Sequence, residues 1–162
     1  MSLKVFSSKF LDELTADAVD SPRRRQHWNI HEDYSESVQR LFNAVEPDSY
    51  IRPHRHGIVP RVESMIAIRG LMMLFTFDDE GNVVDMVPFG VSCERKDVAA
   101  VVEIPPGRWH TVIALEPASV MLELKAGPFD PEHPKEMAPW APEDGSLEVA
   151  DYLQGLFQMV DG

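Results

Sequence analysis

The chain has 162 residues, 44% of them hydrophobic and 26% charged, and carries a formal net charge of −12. That length and balance predict one globular domain with a core of its own. The negative field argues against nucleic acid as a partner, and the single cysteine, Cys93, excludes an intrachain disulfide.

The first residues place acids among few apolar positions and offer no small-residue cleavage site, so no signal peptide is expected. No apolar run approaches the roughly 20 residues that span a bilayer. These features predict a cytoplasmic protein without a membrane partner. Over residues 7–19, Phe10, Leu11, Leu14, Ala18 and Val19 fall at helical spacing, with Ser7 or Ser8 as N-cap. Ser21-Pro22 ends that helix, and Arg23-Arg24-Arg25 reads as a solvated basic turn. A strand follows, with His27, Asn29 and His31 on one face and Trp28 and Ile30 on the other. Ser35 then caps a short amphipathic helix whose inner stripe is Val38, Leu41, Phe42 and Val45.

After Pro47-Asp48 the texture changes to short strands between turns. Strands are predicted over 50–56, over 63–77 with a bend at Gly70, and then over 83–89, 98–104, 110–115 and 120–125. A hairpin turn at 78–82 joins the second and third. Cys93 is expected to be a small strand residue, since no neighbour in sequence would activate it. Such regularly spaced strands indicate a sandwich or barrel. A Pro-rich strap over 127–145 and a helix whose face is Val149, Leu153, Leu156 and Val160 complete the chain. The organisation is thus one domain in three parts: helices and an edge strand over 1–46, a barrel core over 47–127, and strap plus helix over 128–162.

Chemistry concentrates in two stretches. His54 and His56 are two apart, so a strand projects both from one face. Gly57 and Pro60 suit a turn, after which a returning strand could bring the Glu63 carboxylate to the same mouth. His110 arrives behind Pro105-Pro106-Gly107, at the start of another strand. Imidazole and carboxylate together suit iron, manganese, nickel or zinc, whereas His27 and His133 read as ordinary polar residues. Alternation would send Tyr50 and Arg52 into the lumen beside His54, and Met65, Ala67 and Arg69 in line with Glu63. In the last strand Ser119, Met121, Glu123 and Lys125 share a face that is either plain solvent exposure or a set of lumen groups. Arg52 and Arg69 could grip a carboxylate or phosphate. Trp109 is expected in the core rather than under a sugar, and Trp140 as a lid over the barrel edge.

His54, His56, Glu63 and Gly70, followed by Pro105, Gly107 and His110, resemble the paired motifs of the cupin superfamily. The six residues between His56 and Glu63 exceed the family's usual gap, and Ala99 and Ala114 stand where it has Gly and Asn. A finer resemblance is to WbuC-type cupin-fold metalloproteins of bacterial surface-polysaccharide gene clusters. It runs through Arg25, Asn29, His31, Gln39, Tyr50, Arg52, the two motifs, Glu123, Lys125 and Trp140-Ala141-Pro142. The resemblance implies a mainly β, jelly-roll barrel with flanking helices and one divalent metal held by His54, His56, Glu63 and His110. It also implies Glu123 and Lys125 in the lumen, and a homodimer. Tyr50, Arg52, Glu123 and Lys125 are the candidate catalytic groups.

Three functions follow as expectations. The first is a metal-dependent enzyme, an isomerase, epimerase or dioxygenase, acting on a sugar-derived or small acidic metabolite. The second is a metal-independent sugar epimerase using His56 as base and Tyr50 as acid. The third is a non-catalytic module that binds a small ligand.

Overall fold

The computed structural model describes residues 3–56, 61–91, 97–132 and 135–162. The Gly57–Pro60 turn, Cys93 and His133 therefore lie outside the described residues. Two five-stranded antiparallel sheets face each other, as in a jelly roll. The first has the order β1 (Arg25–Asn29), β2 (Val38–Val45), β9 (Ser119–Ala126), β4 (Glu63–Arg69), β7 (Val101–Ile104). The second has the order β10 (Glu136–Met137), β3 (His54–Arg55), β8 (Trp109–Ala114), β5 (Leu71–Phe77), β6 (Val83–Gly90). Helix α1 (Ser8–Asp20) precedes them and α2 (Val149–Asp161) follows. The mainly β barrel with terminal helices is as the sequence predicts.

Three apolar layers hold it together. Met65, Met72, Leu74, Phe89, Ile104, Val112 and Met121 fill the space between the sheets. Outside the first sheet, Leu14 and Ala18 of α1 pack on Phe42, Ala44 and Val120, with Ser7 Oγ capping α1 by accepting from the Phe10 amide. Outside the second sheet, Phe75, Phe77, Trp109 and Ile113 are covered by the strap and by Leu156 of α2. Every residue of β5 is buried because both faces of that strand are covered.

The segment after Ser35 is a strand, not a helix. Val38, Leu41, Phe42 and Val45 fit a helical stripe, but the pattern arises because β2 is packed on both faces. Phe42 and Ala44 meet α1, while Gln39, Leu41 and Asn43 face the space between the sheets. A strand with apolar residues at both parities mimics helical spacing. Its eight residues pair in register with β9, which settles the conformation.

Two other expectations fail for backbone reasons. Only His54–Arg55 of the predicted 50–56 strand pairs as a strand. Strict alternation therefore breaks before His54: Ile51 points inward, while Tyr50 and Arg52 do not line the cavity. In β4 a bulge between Ala67 and Arg69 turns Arg69 out to Asp12 of α1, 2.8 Å away. The bend at Gly70 is as expected. Its φ is +73°, and a Cβ there would lie 2.3 Å from Ser119 Oγ, so the corner between the sheets admits only glycine without strain.

Trp109 is buried in the outer layer as expected. Trp140 lies against Trp109, Phe77 and Gly81 on the outer face of the second sheet, and so seals that face rather than lidding the barrel edge. Among the described residues no helix is long and apolar enough to cross a membrane.

Candidate metal centre

The two sheets enclose a cavity of about 340 Å³. His54 and His110 are register partners on β3 and β8 of the second sheet, and their rings lie 4.5 Å apart. Glu63 enters from the first sheet at the start of β4, and His56 stands just beyond β3. One donor atom from each of the four residues falls within 4.8 Å of the other three. Despite the long gap that precedes it, Glu63 closes the set.

Backbone and neighbours aim these donors. His54 Nδ1 lies 3.0 Å from the Arg52 carbonyl and His110 Nδ1 lies 2.9 Å from that of Arg108. A ring that donates from Nδ1 to a carbonyl carries its lone pair on Nε2. His110 Nε2 is buried without a hydrogen-bond partner. A buried imidazole nitrogen left unsatisfied is unfavourable unless something accepts its lone pair. Glu63 Oε2 lies 3.1 Å from His56 Nε2 and 3.3 Å from His110 Nε2. Lys125, its register partner on β9, donates to Oε1 at 2.9 Å. Three imidazoles and one carboxylate oxygen thus converge on one point, and the donor set fits a single divalent transition-metal ion.

The electrostatics keep those donors in ligand form. Burial depresses the His54 pKa well below 6.5, and the charges of Lys135 and His110 add to the effect. Burial alone would raise that of Glu63. The Lys125 ammonium, with the His110 and His56 rings beside the carboxylate, outweighs it and holds the carboxyl well below 4.5. Lys125 also donates to Glu123 at 3.3 Å, and Asn43 donates to the other Glu123 oxygen at 3.0 Å. Burial would lower the Lys125 pKa, but Glu63 and Glu123 raise it above its ordinary value, so the ammonium stays charged.

Of the four candidate catalytic groups, Glu123 and Lys125 line the cavity and Tyr50 and Arg52 do not. The Tyr50 hydroxyl donates to the Pro142 carbonyl at 2.9 Å, beside Tyr152 of α2. Arg52 donates to the Ala138 carbonyl at 3.0 Å. Both serve to fasten the strap.

The β1 wall of the cavity carries residues to which the motifs assign no role. Arg25, His27 and Asn29 alternate inward, facing Asn43 and Leu41 of β2. His27, read as an ordinary polar residue, is among them. The Arg23–Arg25 run divides: Arg24, at φ 55°, turns out to Asp48, while Arg23 and Arg25 line the cavity. The signal was polarity at every second residue, on a strand whose opposite face carries Trp28.

Comparison with solved structures places the fold. Protein SO0799 from Shewanella oneidensis superposes with a TM-score of 0.53 at 8% identity, over 68% of this chain and 72% of that one. Oxalate decarboxylase from Bacillus subtilis superposes with a TM-score of 0.51 at 17% identity, over 70% of this chain but only 27% of the enzyme. The Lactobacillus farciminis oxalate decarboxylase gives 0.50 at 16% identity, over 70% of this chain and 30% of the enzyme. At these identities the likeness is one of fold, the cupin jelly roll. No curated protein matches the chain. The family model described as "Domain of unknown function (DUF6016)" matches residues 6–89, which take in α1, the β1 wall, His54, His56 and Glu63. That span is just over half of the sequence, and the chain belongs to the DUF6016 family.

Proposed function

We propose that the protein is a mononuclear metal-dependent enzyme of the cupin fold, in which His54, His56, Glu63 and His110 hold one divalent ion. The observation that carries this reading is the buried convergence of four donors, with His110 Nε2 left unpartnered. A four-ligand set leaves an octahedral ion two open positions, at which it would polarise a carbonyl or activate water. The chain's own residues bind and orient. Lys125 holds Glu63 by Oε1, so that Oε2 faces the histidines. Asn43 and Lys125 fix Glu123 at the cavity wall, within reach of a ligand proton.

The substrate class we assign is a small oxygen-rich metabolite, sugar-derived or acidic. Of the residues that carry the WbuC-type resemblance, Arg25, Asn29, His31, Gln39, Glu123 and Lys125 line the cavity, whereas Tyr50, Arg52 and Trp140 do not. A place in polysaccharide metabolism rests on that resemblance alone. The metal-independent epimerase is disfavoured by one observation: the Tyr50 hydroxyl is engaged by Pro142, away from His56.

Elemental analysis of protein purified without a histidine tag tests the reading. Near-stoichiometric metal is expected in the wild type, and none in a folded His54→Ala variant. The Mn(II) centres named for B. subtilis oxalate decarboxylase make manganese a sensible first ion to load. A wild type that holds no ion and ignores added manganese, iron, nickel and zinc would defeat the assignment. Turnover on a panel of sugar acids and sugar phosphates then separates an enzyme from a binding module.

A further inference from the structure

The cationic side chains are distributed unevenly. In a chain of net charge −12, Lys4, Lys9, Arg24, Arg40, Arg55, Arg69 and Lys125 each have a carboxylate partner within 4 Å. Among the described residues Arg23, Arg25, Arg52, Arg61, Arg108 and Lys135 have none, and of these Arg23, Arg25 and Lys135 line the cavity. Arg25 donates by Nη1 to the Tyr50 carbonyl at 2.6 Å and to Ser49 Oγ at 3.4 Å, which anchors its head and leaves the other edge of the guanidinium uncommitted. Its charge is close enough to those of Arg23 and Lys135 for each pair to repel. Asp144 acts on it only from beyond ion-pair distance. The side chains of His27 and Asn29, next along the inward face, make no hydrogen bond among the described residues.

The acids of the cavity answer these charges only in part: Glu123 and Glu63 act on Lys135 from beyond ion-pair distance. Glu63 and Glu123 are both taken by Lys125, and Glu123 also by Asn43. Arg23, His27, Asn29 and Lys135 are exposed at this side of the cavity, where water screens like charges and an oxyanion can reach them directly. An arginine whose head is already braced loses little freedom when it grips a planar or tetrahedral oxyanion.

Position along the sheet adds a length. Glu63 is on β4, and the path to β1 crosses β9 and β2. Three strand spacings amount to roughly 14 Å across the sheet, and the register sets Arg25 six residues, roughly 20 Å, along the strands from the level of Glu63. Side chains reaching in from both ends shorten the span. A two-carbon diacid does not bridge it, so the substrate must be elongated.

We propose that Arg23, Arg25, His27 and Asn29, with Lys135 at the rim, form a subsite for the phosphate or carboxylate terminus of an elongated, polyhydroxylated substrate. The far end of that substrate reaches the metal. This deepens the reading of the metal centre and rests on it.

The test is calorimetric titration of the manganese-loaded full chain with glucose 6-phosphate, glucuronate, glucose and inorganic phosphate. At least one of the two anionic sugars is expected to bind ten-fold more tightly than glucose, and the tighter of the two identifies the terminus. Arg25→Gln should weaken that anion at least five-fold with metal content unchanged. Because Arg25 also braces Tyr50, the double variant Arg23→Gln/His27→Ala, which removes no side-chain hydrogen bond among the described residues, should repeat the loss. Inorganic phosphate should still bind the metal-free His54→Ala variant. Equal affinity for glucose and both anions overturns the proposal, as does failure of both anions to bind at millimolar concentration. An anion preference that neither the single nor the double variant moves also overturns it. Each of these results with metal still bound leaves the metal centre standing; absence of metal from the wild type removes the reading beneath.

Discussion

Glu63 is the residue on which the centre turns, and Lys125 is what allows it to be ionised. At 2% exposure the carboxylate has no water to solvate it, and removing one partner of a buried pair costs about 3 to 5 kcal/mol. Lys125→Met should therefore destabilise the metal-free protein by about 3 kcal/mol in urea unfolding. Manganese should recover much of that loss, because the ion replaces the missing positive charge. An equal loss with and without metal would mean that Glu63 does not face the ion. The clustered donors were legible in sequence because His-x-His and the turn before His110 are local patterns, each confined to a few residues. Tyr50 and Arg52 were misplaced because alternation holds only where the backbone is a strand, and here the ladder begins at His54.

Elements place these residues, and two of them show how packing overrides periodicity. Strand β2 imitates a helix because α1 covers one face and the cavity wall the other. The prediction that belongs here concerns Leu14, 3% exposed at the centre of the α1 contact. Leu14→Ala should cost about 2 to 4 kcal/mol while leaving metal stoichiometry at the wild-type value. Loss of metal in that variant would show that α1 supports the centre directly. At the corner between β4 and β5, Gly70→Ala meets both a positive φ and the Ser119 side chain. It should cost more than about 1 kcal/mol, read as a lowered urea midpoint. An unchanged midpoint would mean that the corner relaxes freely.

On the scale of the whole molecule, the centre sets how stability responds to pH. In the chelated protein the folded pKa values of His54 and Glu63 both lie below their ordinary values of 6.5 and 4.5. In both cases the unfolded chain binds the proton more readily, so acid favours unfolding. This part of the stability is fully present above about 6.5. It erodes as pH falls below that value through His54, and erodes again below about 4.5 through Glu63. Thermal unfolding should show a falling Tm between pH 8 and 5, and His54→Gln should flatten that slope. A Tm indifferent to pH over this range in the wild type would contradict the buried neutral imidazole. Bound metal should raise Tm and steepen the dependence, since protons compete with the ion for the same nitrogens.

The candidate donors, the glycine corner, the terminal helices and the mainly β class can be read along the chain. Each depends on residues near one another in sequence, where spacing and turn chemistry act directly. Assembly into two sheets decided the rest. The strand identity of 38–45, the outward turn of Arg69 at its bulge and the inward turn of Arg23 and Arg25 depend on what lies across the sheet or against its other face. No local pattern carries that information. The cationic wall is the consequence for function: the same Arg-Arg-Arg run that reads as a solvated turn becomes part of a cavity once β1 pairs with β2 opposite the metal centre.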